Sequence, residues 1–224
     1  MILKTLRYKL TDGIATITFD EQGSPVNTMC LQWQADLANA AEQVLKDKAS
    51  IQGIVLASAK STFFAGADLK AVMRTQDSDG PRIFAEIEGI KKSFRTIETL
   101  GVPVVSCLNG SALGGGWEVA LIGHYRIATA NVKTQFGLPE VTLGLIPGGG
   151  GITKMTRYLG LLAAQAYVLE SKLFGPEEAQ KLGLVHEIVT SDDQLRPRAL
   201  AHIAASQGQP EAARPRRRHL FDRT

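Results

Sequence analysis

Only two cysteines, Cys30 and Cys107, and four scattered histidines occur in the 224 residues. Two cysteines in apolar surroundings are expected as buried thiols rather than as a disulfide framework. Neither residue type falls at metal-ligand spacing, so no metal centre is expected. No apolar run approaches the roughly 20 residues needed to cross a bilayer. The opening Met1-Ile2-Leu3-Lys4-Thr5-Leu6-Arg7 leads straight into a strand pattern, with neither the long apolar stretch nor the small-residue cleavage site of a secretory leader. A cytoplasmic protein without a membrane span is the expectation. Several nucleotide and hydrolase signatures are missing too. A dinucleotide fingerprint beginning at Gly114 needs glycine at 119, where Val119 stands, and one beginning at Gly148 needs it at 153, where Thr153 stands. Residues 148–156 lack the Gly-Lys-Ser/Thr ending of a phosphate-binding loop, and no Gly-x-Ser-x-Gly elbow exists for a serine hydrolase.

What is present is ordinary in bulk and informative in its clustering. A 44% hydrophobic content with 21% charged residues suits one globular domain with a buried core. The net charge of +3 resides in residues 191–224, where seven arginines face four acids; residues 1–190 are neutral overall. Such a basic run is expected as a solvated tail, with nucleic-acid contact as the sharper alternative. From about Ser191 the composition changes: residues 199–205 suit a short helix, while residues 207–224 carry two prolines and an arginine cluster and hold too little apolar surface to order themselves. The expected division is therefore a core over 1–190 and an atypical tail over 191–224.

Along the core, residues 14–19 alternate as a strand. Trp33, Leu37, Ala41, Val44 and Leu45 recur at helical spacing after Asn27 or Thr28, either of which is a candidate cap. Residues 51–57 and 102–108 read as buried strands, and residues 125–128 as a third. Residues 74–80 read as a mobile loop. Pro81 then opens a helix whose Ile83, Ile87, Ile90, Phe94 and Ile97 follow at helical spacing. Residues 175–178 open another, which Gly183 ends. Strands and helices alternate, which predicts an α/β fold.

Two glutamates, Glu118 and Glu140, each close a segment of constrained backbone. The first ends Asn109-Gly110-Ser111-Ala112-Leu113-Gly114-Gly115-Gly116-Trp117-Glu118; the second ends Phe136-Gly137-Leu138-Pro139-Glu140 and is soon followed by Pro147-Gly148-Gly149-Gly150-Gly151. Glycine lets the main chain approach a ligand and present N–H groups, and a carboxylate beside it can move protons. The triplet at 114–116 marks a turn on one reading and opens a helix with free N–H groups on the other. Phe63-Phe64-Ala65-Gly66-Ala67-Asp68-Leu69-Lys70 follows a strand in turn, either as a loop entering a helix or as a second N–H donor aimed at the same carbonyl oxygen.

Taken together, these segments resemble the crotonase (enoyl-CoA hydratase/isomerase) family over about residues 5–190, and look most like the hydratase module of bacterial multifunctional fatty-acid oxidation proteins. The later Glu178-Ala179-Gln180-Lys181-Leu182-Gly183-Leu184-Val185 fits the same pattern. The resemblance implies a crotonase-like spiral of repeated ββα units. It implies an oxyanion hole from the amides of Ala67 and Gly115, with coenzyme A along Ala65, Gly66, Ala67, Asp68, Leu69 and Lys70. Residues 74–80 with Ile83 and Phe84 would border the acyl tunnel. By the same resemblance Glu118 activates a water for attack at Cβ and Glu140 delivers the proton to Cα. The implied activity is hydration of 2-trans-enoyl-CoA in fatty-acid β-oxidation. The alternatives are an enoyl-CoA delta-isomerase, or a catalytically weak acyl-CoA-binding or RNA-binding homologue. Proximity of the two carboxylates is expected to raise at least one pKa. No cofactor is expected, since the coenzyme A thioester is the substrate, and the partners implied are that acyl-CoA and further copies of the chain in a trimer-based homo-oligomer. Two departures stand out. Trp117 replaces a smaller residue common in the family, to tune acyl length or to pack. The helices that normally follow are not recognisable after about Gln209, so apolar surface is expected to be left for association, and no dehydrogenase activity is expected.

Overall fold

A computed structural model of the chain describes residues 1–209. Strands β1 (Leu6–Thr11) and β2 (Ile14–Phe19) form an antiparallel hairpin turned by Asp12 and Gly13, both at positive φ. Ala15, Ile17 and Phe19 are buried while their neighbours are partly exposed, as the alternation requires. Strands β3 (Gly53–Ser58), β4 (Val104–Leu108), β6 (Tyr125–Thr129) and β8 (Glu187–Val189) extend the sheet in parallel, giving the order β1-β2-β3-β4-β6-β8. β4 is buried at every position, which explains its continuous apolar run.

A second, two-stranded parallel sheet pairs β5 (Ala112–Leu113) with β7 (Phe136–Gly137), and a parallel bridge from Phe64 to Ala112 lengthens it. The path therefore repeats. A long strand in the large sheet is followed by a short one in the small sheet and then by a helix. This happens at β3, Phe64 and α3 (Gly80–Glu98), then at β4, β5 and α4 (Gly115–Ala120), then at β6, β7 and α5 (Gly151–Leu159). The α/β architecture and the spiral of ββα units are both present. The remaining helices are α1 (Leu31–Lys46), α2 (Leu69–Val72), α6 (Leu161–Val168), α7 (Pro176–Lys181) and α8 (Leu195–Ala205).

The main core lies on one face of the large sheet, under α1 and α3, where Trp33, Leu37, Ala41 and Val44 of α1 are buried and Leu45 is exposed. Cys30 stands at the N-cap of α1, in place of Asn27 or Thr28. Asn27 is used elsewhere: its Nδ2 donates to Ser58 Oγ and to Phe63 O, while Thr28 donates to Glu21. Both cysteines are free. Residues 74–80 contain a 3-10 turn (Asp77–Asp79) in which Asp79 accepts from the Gln76 amide.

Beyond Ser191 the described chain packs as part of the same fold. Leu195, Ala199 and Ile203 of α8 lie against Val55, Val105 and Ile127 on the other face of the sheet. A Cβ on Gly53 would fall 2.4 Å from Ile203, so α8 rests directly on the strand. Of the seven arginines beyond residue 190, Arg196 and Arg198 sit on this helix; the other five lie outside the described residues. Among the described residues no helix is long and apolar enough to cross a membrane.

Candidate active site

The small sheet positions the site. Its three strand positions end at Phe64, Leu113 and Gly137, and the chain leaves them as 65–67, 114–115 and 138–140 respectively. Hydrogen bonds from Leu113 N–H to Phe64 O and from Gly114 N–H to Gly137 O hold the three exits side by side. Close approach dictates the glycines. A Cβ on Gly116 would fall 2.2 Å from the Phe64 carbonyl oxygen, and Gly114, at φ 54°, leaves room for Glu140 Oε1.

Two amides face the resulting space without a protein acceptor: neither the Ala67 nor the Gly115 N–H donates a hydrogen bond among the described residues. Their orientation follows from the partners of the carbonyls before them. Met29 N–H holds Gly66 O at 2.9 Å, and the amides of Trp117 and Glu118 hold Gly114 O at 2.8 and 3.1 Å. In a trans peptide the N–H points away from the carbonyl, so both following N–H groups are turned the other way. The thioether of Met29 lies over Gly115, where a Cβ would fall 2.4 Å from its sulfur.

Glu118, in the first turn of α4, is 3% exposed. Gly151 N–H donates to its Oε1 at 2.7 Å, and a Cβ at 149 or 151 would press on the carboxylate, 2.7 or 3.0 Å from its oxygens. Burial raises its pKa, while the amides of 149–151 and the Lys154 charge pull it back. Glu140 begins the 3-10 turn Glu140–Leu143, and its Oε2 is buried with no hydrogen-bond partner among the described residues. Burial pushes its pKa up to about 7, and the Glu118 charge pushes in the same direction. Mutual repulsion, the cause expected from sequence, is thus secondary to desolvation.

The raised value has a stability cost with a definite sign. The folded state keeps the Glu140 proton to higher pH than the unfolded chain, so stability is lost as pH rises from about 4.5 through about 7. Glu140→Gln is therefore expected to stabilise the fold at pH 8 by about 1–2 kcal/mol, after discounting for the solvent that still reaches this half-buried carboxyl. Urea unfolding should find little difference at pH 4.5; a variant no more stable than the native chain at pH 8 would refute the shift.

Glu118, Glu140, Ala67 and Gly115 all line one cavity of about 700 Å³, a size suited to a small-molecule ligand. Asp68 lines it as well, and caps α2 by accepting from the amides of Lys70 and Ala71. Ala65, Leu69 and Lys70 are exposed on the same segment, and Gly66 is buried at φ 103°. Ile83, Ile87 and Ile90 form the apolar wall, so the N-terminal half of the α3 stripe lines the cavity and only Ile90, Phe94 and Ile97 are core. Arg74 and Thr75 also border it, whereas Phe84 is 68% exposed and does not. Trp117 is buried away from the cavity, stacked on Phe136 with its Nε1 3.3 Å from Met155 Sδ; it packs. Sequence reasoning missed Met29, Cys30, Leu145 and Ile146 in the lining, and missed the glycines at 149–151 as the donors to Glu118. The run of glycines next to a proline was the only available signal for the last.

The chain is similar to known proteins in sequence and in fold. The family model for enoyl-CoA hydratase/isomerase matches residues 9–219. The fatty acid oxidation complex subunit alpha of Shewanella frigidimarina is 37% identical over 187 residues, and that of Shewanella amazonensis 38% identical over 187 residues. Each match covers 80% of this chain but only 25% of the relative, so the chain spans a quarter of their length. Among solved structures, the enoyl-CoA hydratase from Bacillus anthracis superposes with a TM-score of 0.79 at 28% identity, over 92% of this chain and 78% of that one. An enoyl-CoA hydratase/isomerase from Cupriavidus metallidurans gives 0.82 at 25% identity, over 95% and 78%. With the family model matching residues 9–219 and relatives above 35% identity over 80% of its length, the chain belongs to the enoyl-CoA hydratase/isomerase family.

Proposed function

We propose that the chain hydrates 2-trans-enoyl-CoA thioesters to 3-hydroxyacyl-CoA, as a step of fatty-acid β-oxidation. The observation that carries this reading is the convergence of two carboxylates and two unoccupied amides on one largely apolar cavity. The Ala67 and Gly115 amides receive the thioester oxygen as it gains charge. Glu118 holds a water and takes one of its protons while the oxygen bonds to Cβ. Glu140 gives its proton to Cα, and a pKa near 7 keeps that proton available at neutral pH. The cycle closes when the proton on Glu118 returns to Glu140 through water. Relatives named as fatty acid oxidation subunits support the metabolic setting. The reading includes association of several copies of the chain, for which Val132, Ile146 and Leu162 supply exposed apolar surface.

The test is turnover of crotonyl-CoA by the native chain, followed as loss of the conjugated enoyl-thioester absorbance. Hydration is expected. If the chain instead converts a 3-enoyl thioester to its 2-enoyl isomer and adds no water, the delta-isomerase alternative replaces it; binding without turnover of either would leave the acyl-CoA-binding alternative.

A further inference from the structure

Behind the wall of the cavity, a buried lysine joins three helices. Lys154 belongs to the first turn of α5, and its side chain is 12% exposed. Its Nζ donates to the Leu121 carbonyl at 3.0 Å and forms an ion pair with Glu98, the last residue of α3, itself 6% exposed. Leu121 ends α4 one turn beyond Glu118, and its carbonyl is one of those a helix end leaves without an internal partner. The backbone of the same lysine closes on the glycine run: Lys154 N–H holds Gly150 O at 3.0 Å. Because that peptide is trans, the Gly151 N–H is directed away from the Gly150 carbonyl, and it meets Glu118 Oε1 at 2.7 Å.

We propose that Lys154 is a positioning residue for Glu118, clamping the start of α5 to the end of α4 so that the amides of 149–151 stay on the carboxylate. The α4–α5 contact is fixed at two levels, by Gly151 on Glu118 and, one turn further, by Lys154 on Leu121. Glu98 ties both to α3, whose other end carries the apolar wall. There is little slack at the first level, since a Cβ at 149 or 151 would fall 2.7 or 3.0 Å from a carboxylate oxygen and displace it. A buried ion pair is a poor device for stability alone, because desolvation offsets most of the Coulombic gain. Its worth here lies in register and charge. The other charged or titratable groups near the clamp are Glu140 across the cavity, Arg95 at 3.7 Å from Glu98, the buried Arg126, and His124. His124 accepts from Val104 N–H through Nδ1, and burial pushes its pKa down to about 4, so it stays neutral at physiological pH.

The inference rests on Glu118 being the base, and its test is independent of turnover. Carbon-13 NMR of labelled glutamate carboxyls, with Glu118→Gln to identify the signal, reads the Glu118 midpoint directly. Lys154→Met should raise that midpoint by about one pH unit, and Lys154→Arg should restore it. Glu98→Gln, which leaves the lysine charge uncompensated, should lower it. Where the chain turns over crotonyl-CoA, Lys154→Met should also lower kcat by about tenfold with KM nearly unchanged. An unaltered Glu118 midpoint in Lys154→Met, or in Glu98→Gln should the first variant fail to fold, overturns the proposal. Absent turnover in the native chain would refute the hydration reading alone.

Discussion

Glu118→Gln is expected to lower kcat for crotonyl-CoA hydration by about 10²–10⁴, the range that positioned acid–base groups supply, equivalent to about 3–5 kcal/mol of barrier. The amide has no basic site for the water proton. It also misfits its surroundings, because the carboxylate receives backbone N–H groups from 149–151, and a Gln NH2 would turn donor against donor. Glu140→Gln is expected to fall in the same range of rate for a different reason: its proton donor is gone, while the fold gains stability at high pH. The double variant should be scarcely slower than the worse single one, since the two groups serve one addition. Steady-state kinetics on the four chains checks this. If either single variant kept more than a third of native kcat, the division of labour between the glutamates would be wrong.

Those glutamates were legible because each stands beside glycines that the geometry forces. At Gly116 a Cβ would strike the Phe64 carbonyl, and Gly114 lies at positive φ close against Glu140, so the pattern in sequence is an imprint of close approach in space. The long strands were legible for a simpler reason: β3 and β4 are buried on both faces and need uninterrupted apolar runs. The small sheet was not. Its strands are two residues long, too short for any periodicity, yet they bring the three site segments together. The cap of α1 was misread because Asn27 satisfies Ser58 and Phe63 across the fold, a demand that no local pattern records. The α3 stripe was read correctly as apolar, but helical spacing does not distinguish side chains facing a core from those facing a cavity. Lys154 gave no signal at all: its partners are 33 and 56 residues away.

Removing an oxyanion donor should cost nearly as much as removing a carboxylate. Ala67→Pro deletes one of the two open amides, and the expected loss is about 10²–10³ in kcat, or roughly 3–4 kcal/mol. The substitution is well placed. The Ala67 N–H serves no acceptor among the described residues, so no hydrogen bond seen there is lost, and Gly66 keeps the carbonyl that Met29 holds. Gly66 also has no Cβ for the proline ring to meet. The thioester oxygen carries its charge only as the enolate forms, so the missing donor is felt in kcat more than in KM. Gly115→Pro is the matching change on the other side, at the first residue of α4, where proline is tolerated. Its new Cβ would press on the Met29 thioether, the movable end of a flexible side chain. Comparable losses in the two variants would mean that both amides grip one oxygen. A loss in only one would leave a single donor for the charge, and thermal unfolding near native with kcat within tenfold of native in both would remove the oxyanion hole from this site.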